Sequence, residues 1–294
     1  MTTTDGLPVT SDSAFQRKLR AHQSAWREQN GLPIGSYRGR PLGSRVAMPF
    51  AREHLANYLT PTIREAVRRE VIDAVHGQEK LYSAPRIFDD LLSSQPLCFN
   101  LFGELQADLD AATAVGRHLW PSRVDIVTAI EFEWSPGRGD PEYLGNRSAF
   151  DVVLFTTTPS GRLGFIGIEV KYHENLRVAA ATHRSRYDVV ATAAACFDAR
   201  RMPDLRKPPL QQIWLDHLLA LSMLQANDGY DDGLFVFLYP AGNDRCAAVS
   251  ASYADCLTDD RTFQRLILED VVAGLRATSD APWITPFADR YVVD

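Results

Sequence analysis

The chain has 294 residues, 45% of them hydrophobic and 23% charged, enough for one large domain or two small ones with a sizeable core. Its formal charge of -6 argues against a protein that coats nucleic acid non-specifically, yet leaves room for carboxylates gathered around a metal ion, with Arg side chains confined to one groove. No apolar run approaches the ~20 residues of a membrane span, Met1–Gly6 does not begin a signal peptide, and Cys98, Cys196, Cys246 and Cys256 show neither Cys-x-x-Cys nor matching His spacing. The expectation is a soluble, cytoplasmic protein with buried thiols, no zinc site and no membrane partner.

Residues 1–13 are polar and read as disordered. Residues 14–29 read as a basic, partly amphipathic helix. Gly31–Met48 is rich in Gly, Pro and Arg around Tyr37 and reads as a loop, or as an arm lying along a phosphate backbone. Residues 1–48 are therefore set apart as a polar, basic and partly disordered arm, with a second domain over 49–294. From Thr62 to Glu79, Ile63, Val67, Val71, Ile72 and Val75 recur at helical spacing behind the start signal Thr60-Pro61. Further helices are expected over Pro85–Leu92 and from Phe99 to about Gly116. The period then changes: Val124–Trp134 reads as a strand, Ser135–Asn146 as a Gly/Pro-rich excursion, and Asp151–Phe155 and Leu163–Val170 as strands joined by the turn Thr158–Gly161. Helices follow over Arg186–Phe197 and, introduced by Pro208 and Pro209, over Leu210–Ala226. Gly233–Tyr239 is a buried strand with which Arg245–Ser250 can pair, and Asp259–Ala277 reads as a closing helix. No internal repeat is present. The order helix, three strands, helix, strand gives an α/β core behind an N-terminal helical addition of about 90 residues.

Four residues carry most of the chemical information. The chain has 27 Arg and only four Lys, and chance yields a Glu-x-Lys triplet only about 0.16 times at this composition. Lys171, two positions after Glu169 at the end of a strand, supplies a compact ammonium where a guanidinium would not serve. Residues two apart on a strand share a face, so Phe165, Gly167, Glu169 and Lys171 lie on one side and Ile166, Ile168 and Val170 on the other. The apolar side is expected to pack on a helix, leaving Glu169 and Lys171 facing a cleft, with Gly167 giving room for a substrate backbone. A hairpin turning at Thr158–Gly161 brings Asp151 near Glu169 or Lys171. Two carboxylates and an amine so placed suit metal-dependent phosphodiester cleavage: Asp151, Glu169 and the Val170 carbonyl are hard oxygen ligands fit for Mg²⁺, which keeps several waters. Lys171 then orients or deprotonates the attacking water, or stabilises developing charge; the sequence leaves these roles open.

Asp151 with Ile168-Glu169-Val170-Lys171 resembles the motif of the PD-(D/E)xK phosphodiesterase superfamily, and the chain is similar in particular to its bacterial restriction endonucleases. Ser93–Phe102, Phe132-Glu133, Tyr172 with Glu174, and Leu234–Pro240 support the resemblance, which spans about residues 80–275 and gains little from the first 60. Asp151 follows Phe150 where the nominal motif has Pro, a position that varies widely in the superfamily. The resemblance implies a restriction-endonuclease-like αβββαβ core with a mixed central sheet flanked by helices, centred on residues 93–275. It also implies a Mg²⁺-dependent endodeoxyribonuclease, with Mn²⁺ as a substitute metal, a DNA substrate and a setting in bacterial restriction or defence. It leaves open whether two copies act as a homodimer. Related enzymes often carry a Glu on the first core helix, where Glu104 stands here; Glu133, at the end of the first strand on the same face as Glu131, is the alternative and the one assigned to the site.

Other polar residues have plainer readings. Gln95 and Asn100 read as capping or helix–helix hydrogen-bonding groups, with substrate or ligand positioning as the alternative. Gln211, Gln212 and His217 lie on the helix after the two prolines, His217 as a core histidine, and His173 receives no role. Nucleotide-binding Gly-rich loops, a Gly-x-Ser-x-Gly elbow and His-Glu-x-x-His are absent, so no nucleotide cofactor is expected. A non-cleaving nucleic-acid-binding or assembly module of the same fold, and an RNA- or repair-directed nuclease, are the competing functions.

Overall fold

The structure, a computed structural model, describes residues 9–73, 80–176, 179–226 and 228–293. They form two compact units, one from residues up to 107 together with those from 280 on, the other from Lys80 and residues 108–279. The boundary expected near residue 48 falls inside the first.

In the first unit, Ser13 and Gln16 close a reciprocal capping box that starts α1 (Ala14–Gln29). Gly31–Met48, expected as a loop, contains an antiparallel hairpin of β1 (Ile34–Tyr37) and β2 (Arg40–Val46). Arg38 and Gly39 at its tip have φ of 51° and 75°, the two positive angles of the tight turn that matches strand twist. The Gly and Pro content hid this hairpin, which Arg27 ties to α1 by donating from Nε to the Gly43 carbonyl at 2.8 Å. Next come α2 (Phe50–Glu53) and α3 (Pro61–Val67), whose cap Thr60 accepts from the Ile63 amide. A π-turn over Arg68–Ile72 follows. The expected helix to Glu79 is thus described as far as Ile72, and residues 74–79 lie outside the described residues. The unit continues with α4 (Arg86–Asp89) and α5 (Ser94–Ala107).

The second unit opens with α6 (Leu109–Leu119). Asp108 caps it by accepting from the Ala111 amide, so the stretch expected as one helix to Gly116 is two. The strands β3 (Ile126–Trp134), β4 (Phe150–Thr157) and β5 (Leu163–Val170) pair antiparallel in sequence order. Then α7 (Ser185–Ala194), α8 (Met202–Leu205) and α9 (Leu210–Gln225) lead to β6 (Asp232–Tyr239), which pairs parallel with β5. The chain continues through α10 (Asp244–Ala254), β7 (Phe263–Ile267, parallel to β6) and α11 (Leu268–Thr278), and α12 (Ile284–Tyr291) belongs to the first unit. The sheet order is β3-β4-β5-β6-β7, a mixed five-stranded sheet flanked by helices, with the expected αβββαβ order extended by two helices and the strand between them.

Two expectations fail at that extension. Arg245–Ser250 is helical: Asn243 caps it, accepting from the Cys246 amide, and Cys246, Val249, Ser250 and Tyr253 are buried at helical spacing. Asp259–Ala277 is a short strand followed by a helix, because five residues of β7 are too few to display alternation. On one sheet face, Phe165, Phe235 and Phe237 pack with Trp214 and Leu218 of α9 and Tyr253 of α10. α6 packs on β3, and α11 on β7 and α6; close approach of the two helices is set by Gly274, whose added Cβ would lie 3.2 Å from Leu119 Cδ2.

Candidate active site

Strand register positions the first two carboxylates. Val152 stands opposite Ile168, and one further step along the antiparallel ladder brings Asp151 beside Glu169. The Val170 amide donates to Asp151 Oδ2 at 2.8 Å, and Lys171 Nζ donates to Glu169 Oε1 at 2.5 Å. The Lys171 amide donates to the Leu238 carbonyl at 2.8 Å, carrying the β5–β6 ladder one residue past the strand and fixing the ammonium's stem. Asp151, Glu169, Val170 and Lys171 therefore meet at the end of β5.

The surroundings differ from the expectation in two respects. Glu169 and Lys171 do not face an open cleft: both are 7% exposed, because their face of the sheet is the one α9 covers. Gln212 of α9 donates from Nε2 to Glu169 Oε1 at 3.0 Å. Nor does Gly167 leave room for a substrate, since an added Cβ would lie 2.6 Å from the Phe150 ring, which fills that space. A strand read alone does not say which of its faces a later helix will cover.

Buried charges of one sign dominate this end of the sheet. Burial raises the Asp151 carboxyl well above the usual range, and the Glu169 charge adds to it, against the Lys171 ammonium and the Val170 amide. Burial alone would lower Lys171, but Glu169, Asp151 and Glu174 outweigh it and hold the ammonium above its ordinary value. Burial would raise Glu174 too; nearby His173 and Lys171 and the Tyr172 amide, which donates to Oε2 at 2.7 Å, bring it down to about 2. Asp216, one helical turn after Gln212, is raised by burial and then by Glu169.

Glu133, between residues paired with Val152 and Phe150, sits at φ 45°, a strained angle for a non-glycine residue. Its Oε1 accepts from Arg138 Nη2 at 2.7 Å, and its charge acts on both Asp151 and Asp216. Glu131 instead pairs with Lys80 at 3.8 Å. Glu104 belongs to the first unit, where its Oε1 accepts from the Thr60 hydroxyl. In the same unit Gln95 bonds the Ser83 amide and Leu81 carbonyl, while buried Asn100 joins the Leu59 amide, the Asn57 carbonyl and the Tyr291 hydroxyl. Gln211 holds both backbone groups of Ala181. His217 is a core histidine, its ring nitrogens 2.7 Å from the Tyr253 hydroxyl and 2.9 Å from Thr262 Oγ1. All four cysteines are buried and unbridged. Among the described residues, no helix is long and apolar enough to cross a membrane.

The sequence alone singles out neither Asp216 nor a contact for Gln212. The available signal was their i, i+4 spacing on an otherwise apolar helix, which puts both on one face.

The family model of the PD-(D/E)XK nuclease superfamily matches residues 10–293, and the chain belongs to that superfamily. The match takes in the N-terminal unit as well, well beyond the 80–275 expected to carry it. No curated protein and no solved structure matches the chain. Membership places it among metal-dependent nucleases, whose substrates are nucleic acids.

The residues present fit a divalent cation. The carboxylates of Asp151, Glu169, Glu174 and Asp216 act on one ammonium, that of Lys171, and Asp216 Oδ2 is buried with no hydrogen-bond partner. Among the described residues no three His, Cys, Asp or Glu side chains converge as a metal-binding group, so Asp151, Glu169 and the Val170 carbonyl would need water to complete the shell.

Proposed function

We propose that this chain is a Mg²⁺-dependent endodeoxyribonuclease, with Mn²⁺ able to replace Mg²⁺, acting in the bacterial cytoplasm in restriction or defence against foreign DNA. The observation that carries this reading is the meeting of Asp151, through the Val170 amide, with the Glu169–Lys171 ion pair. A bound divalent ion would supply Lewis-acid stabilisation of the phosphoryl oxygens and lower the pKa of a water. Asp151, Glu169 and the Val170 carbonyl would hold that ion. Lys171, kept charged by its carboxylate neighbours, orients the attacking water or stabilises charge on the phosphoryl group. Gln212 fixes Glu169 in its rotamer, and Glu133 adds to the negative field that draws the cation in. A homodimer would supply two such sites, one for each strand of a duplex.

Purified protein incubated with duplex DNA, single-stranded DNA and RNA, in Mg²⁺ and in EDTA, tests the substrate assignment. Mg²⁺-dependent cleavage of the duplex above the other two is the predicted result. Preferential RNA cleavage would overturn the assignment to DNA, and binding without cleavage of any substrate would make the chain a recognition module.

A further inference from the structure

Asp216 has no part in the proposed chemistry, yet it neighbours the site through Gln212, the side chain that holds Glu169. It is 8% exposed, and its Oδ2 is buried with no hydrogen-bond partner, an arrangement that costs free energy unless something donates to it. It stands one turn after Gln212, whose Nε2 is committed to Glu169 while its Oε1 is likewise buried without a partner. Both residues line one cavity of about 240 Å³, walled further by Pro208, Pro209, Leu215 and Ser148. That volume is ample for water, which needs polar partners to stay ordered. Two acceptor oxygens thus lack donors, one of them on the side chain that bonds Glu169.

We propose that Asp216, aided by the side-chain oxygen of Gln212, is a positioning residue that holds the water ligands of the divalent cation bound by Asp151 and Glu169. The inference rests on the proposed metal-dependent function. The chemistry is complementary: a water polarised by a divalent cation is a strong donor, and the Asp216 carboxylate, ionised once the cation's charge lies near it, is an acceptor only. Asp216 is not a third direct ligand in this account, consistent with the lack of a three-residue metal group among the described residues. It instead fixes the orientation of coordinated water, as outer groups do around bound metals.

Calorimetric titration of the full chain with MnCl₂, without nucleic acid, tests this on wild type, Asp151→Asn and Asp216→Asn, with Asp216→Ser as a second variant and circular dichroism to confirm folding. Asp216→Asn is expected to weaken Mn²⁺ binding about 10–100-fold, the usual effect of losing an outer partner. The number of waters on Mn²⁺, counted from ¹⁷O broadening of its paramagnetic resonance, should stay the same. An extra coordinated water in the variant would make Asp216 a direct ligand and overturn the proposal. Wild-type affinity in the folded Asp216 variants, with loss in Asp151→Asn, would overturn this inference alone. Wild type that binds no Mn²⁺ would overturn both it and the proposed function.

Discussion

Burying a neutral histidine in the scaffold has a measurable consequence under acid. His217 lies among Phe235, Phe263, Phe197 and Tyr253, and burial lowers its pKa to about 3. An unfolded chain takes up this proton below about 6.5, whereas the folded protein refuses it until about pH 3. The contribution to stability is therefore complete above about pH 6.5 and is lost as pH falls towards 3. At about 1.4 kcal/mol per pH unit the whole span corresponds to roughly 5 kcal/mol, of which about 2 kcal/mol is lost between pH 7 and pH 5. Urea unfolding of wild type and His217→Gln at these two pH values isolates the term, because the carboxylates titrate alike in both proteins. Trp214, in the same core, is the fluorescent probe. The glutamine variant should be less stable at pH 7, having lost a fitted pair of hydrogen bonds, but its stability should fall by about 2 kcal/mol less on acidification. An identical fall in both proteins would refute the picture of an imidazole held neutral by burial.

Other perturbations test the site and its supports. Gly167→Ala forces a methyl group against the buried Phe150 ring and should cost about 1–3 kcal/mol in denaturant melts; unchanged stability would show that the ring yields freely. Gln212→Leu removes the donor to Glu169 and should lower Mg²⁺-dependent cleavage about 10–100-fold while leaving the circular dichroism spectrum unchanged; full activity would make that contact incidental. Arg38 and Arg40 are exposed at the hairpin tip, and replacing both with Ala should lower the slope of log affinity for DNA against log salt by about 2 without changing the melting temperature. An unchanged slope would assign this segment to folding alone, and deleting residues 1–48 could not make that distinction, since Leu19, Leu42 and Val46 are core residues.

Elements with strong local signals were legible in the sequence. Alternation and an apolar run gave β3 to β6, and the turn at Thr158–Gly161 set the register that brings Asp151 to Glu169. What was hidden depends on partners far along the chain. The hairpin Ile34–Val46 looks like a loop because its Gly and Pro are read without α1 to bond against. β7 gains its identity only from its pairing with β6. The site face looks open in the sequence because the helix that closes it begins 41 residues after Glu169, at Leu210, and that same helix delivers Gln212 and Asp216. Local pattern thus located the ion pair, while tertiary packing determined its burial and the company it keeps.

The most direct test of the central claim is nicking of supercoiled plasmid in Mg²⁺ by wild type, Asp151→Ala, Glu169→Ala and Lys171→Ala, with folding of each variant confirmed. Wild type should convert the plasmid to open-circular or linear product and lose that activity in EDTA, and each folded variant should fall by at least about 100-fold. Nicking by folded Lys171→Ala or Asp151→Ala at the wild-type rate would contradict the assignment of the cleavage chemistry to this cluster.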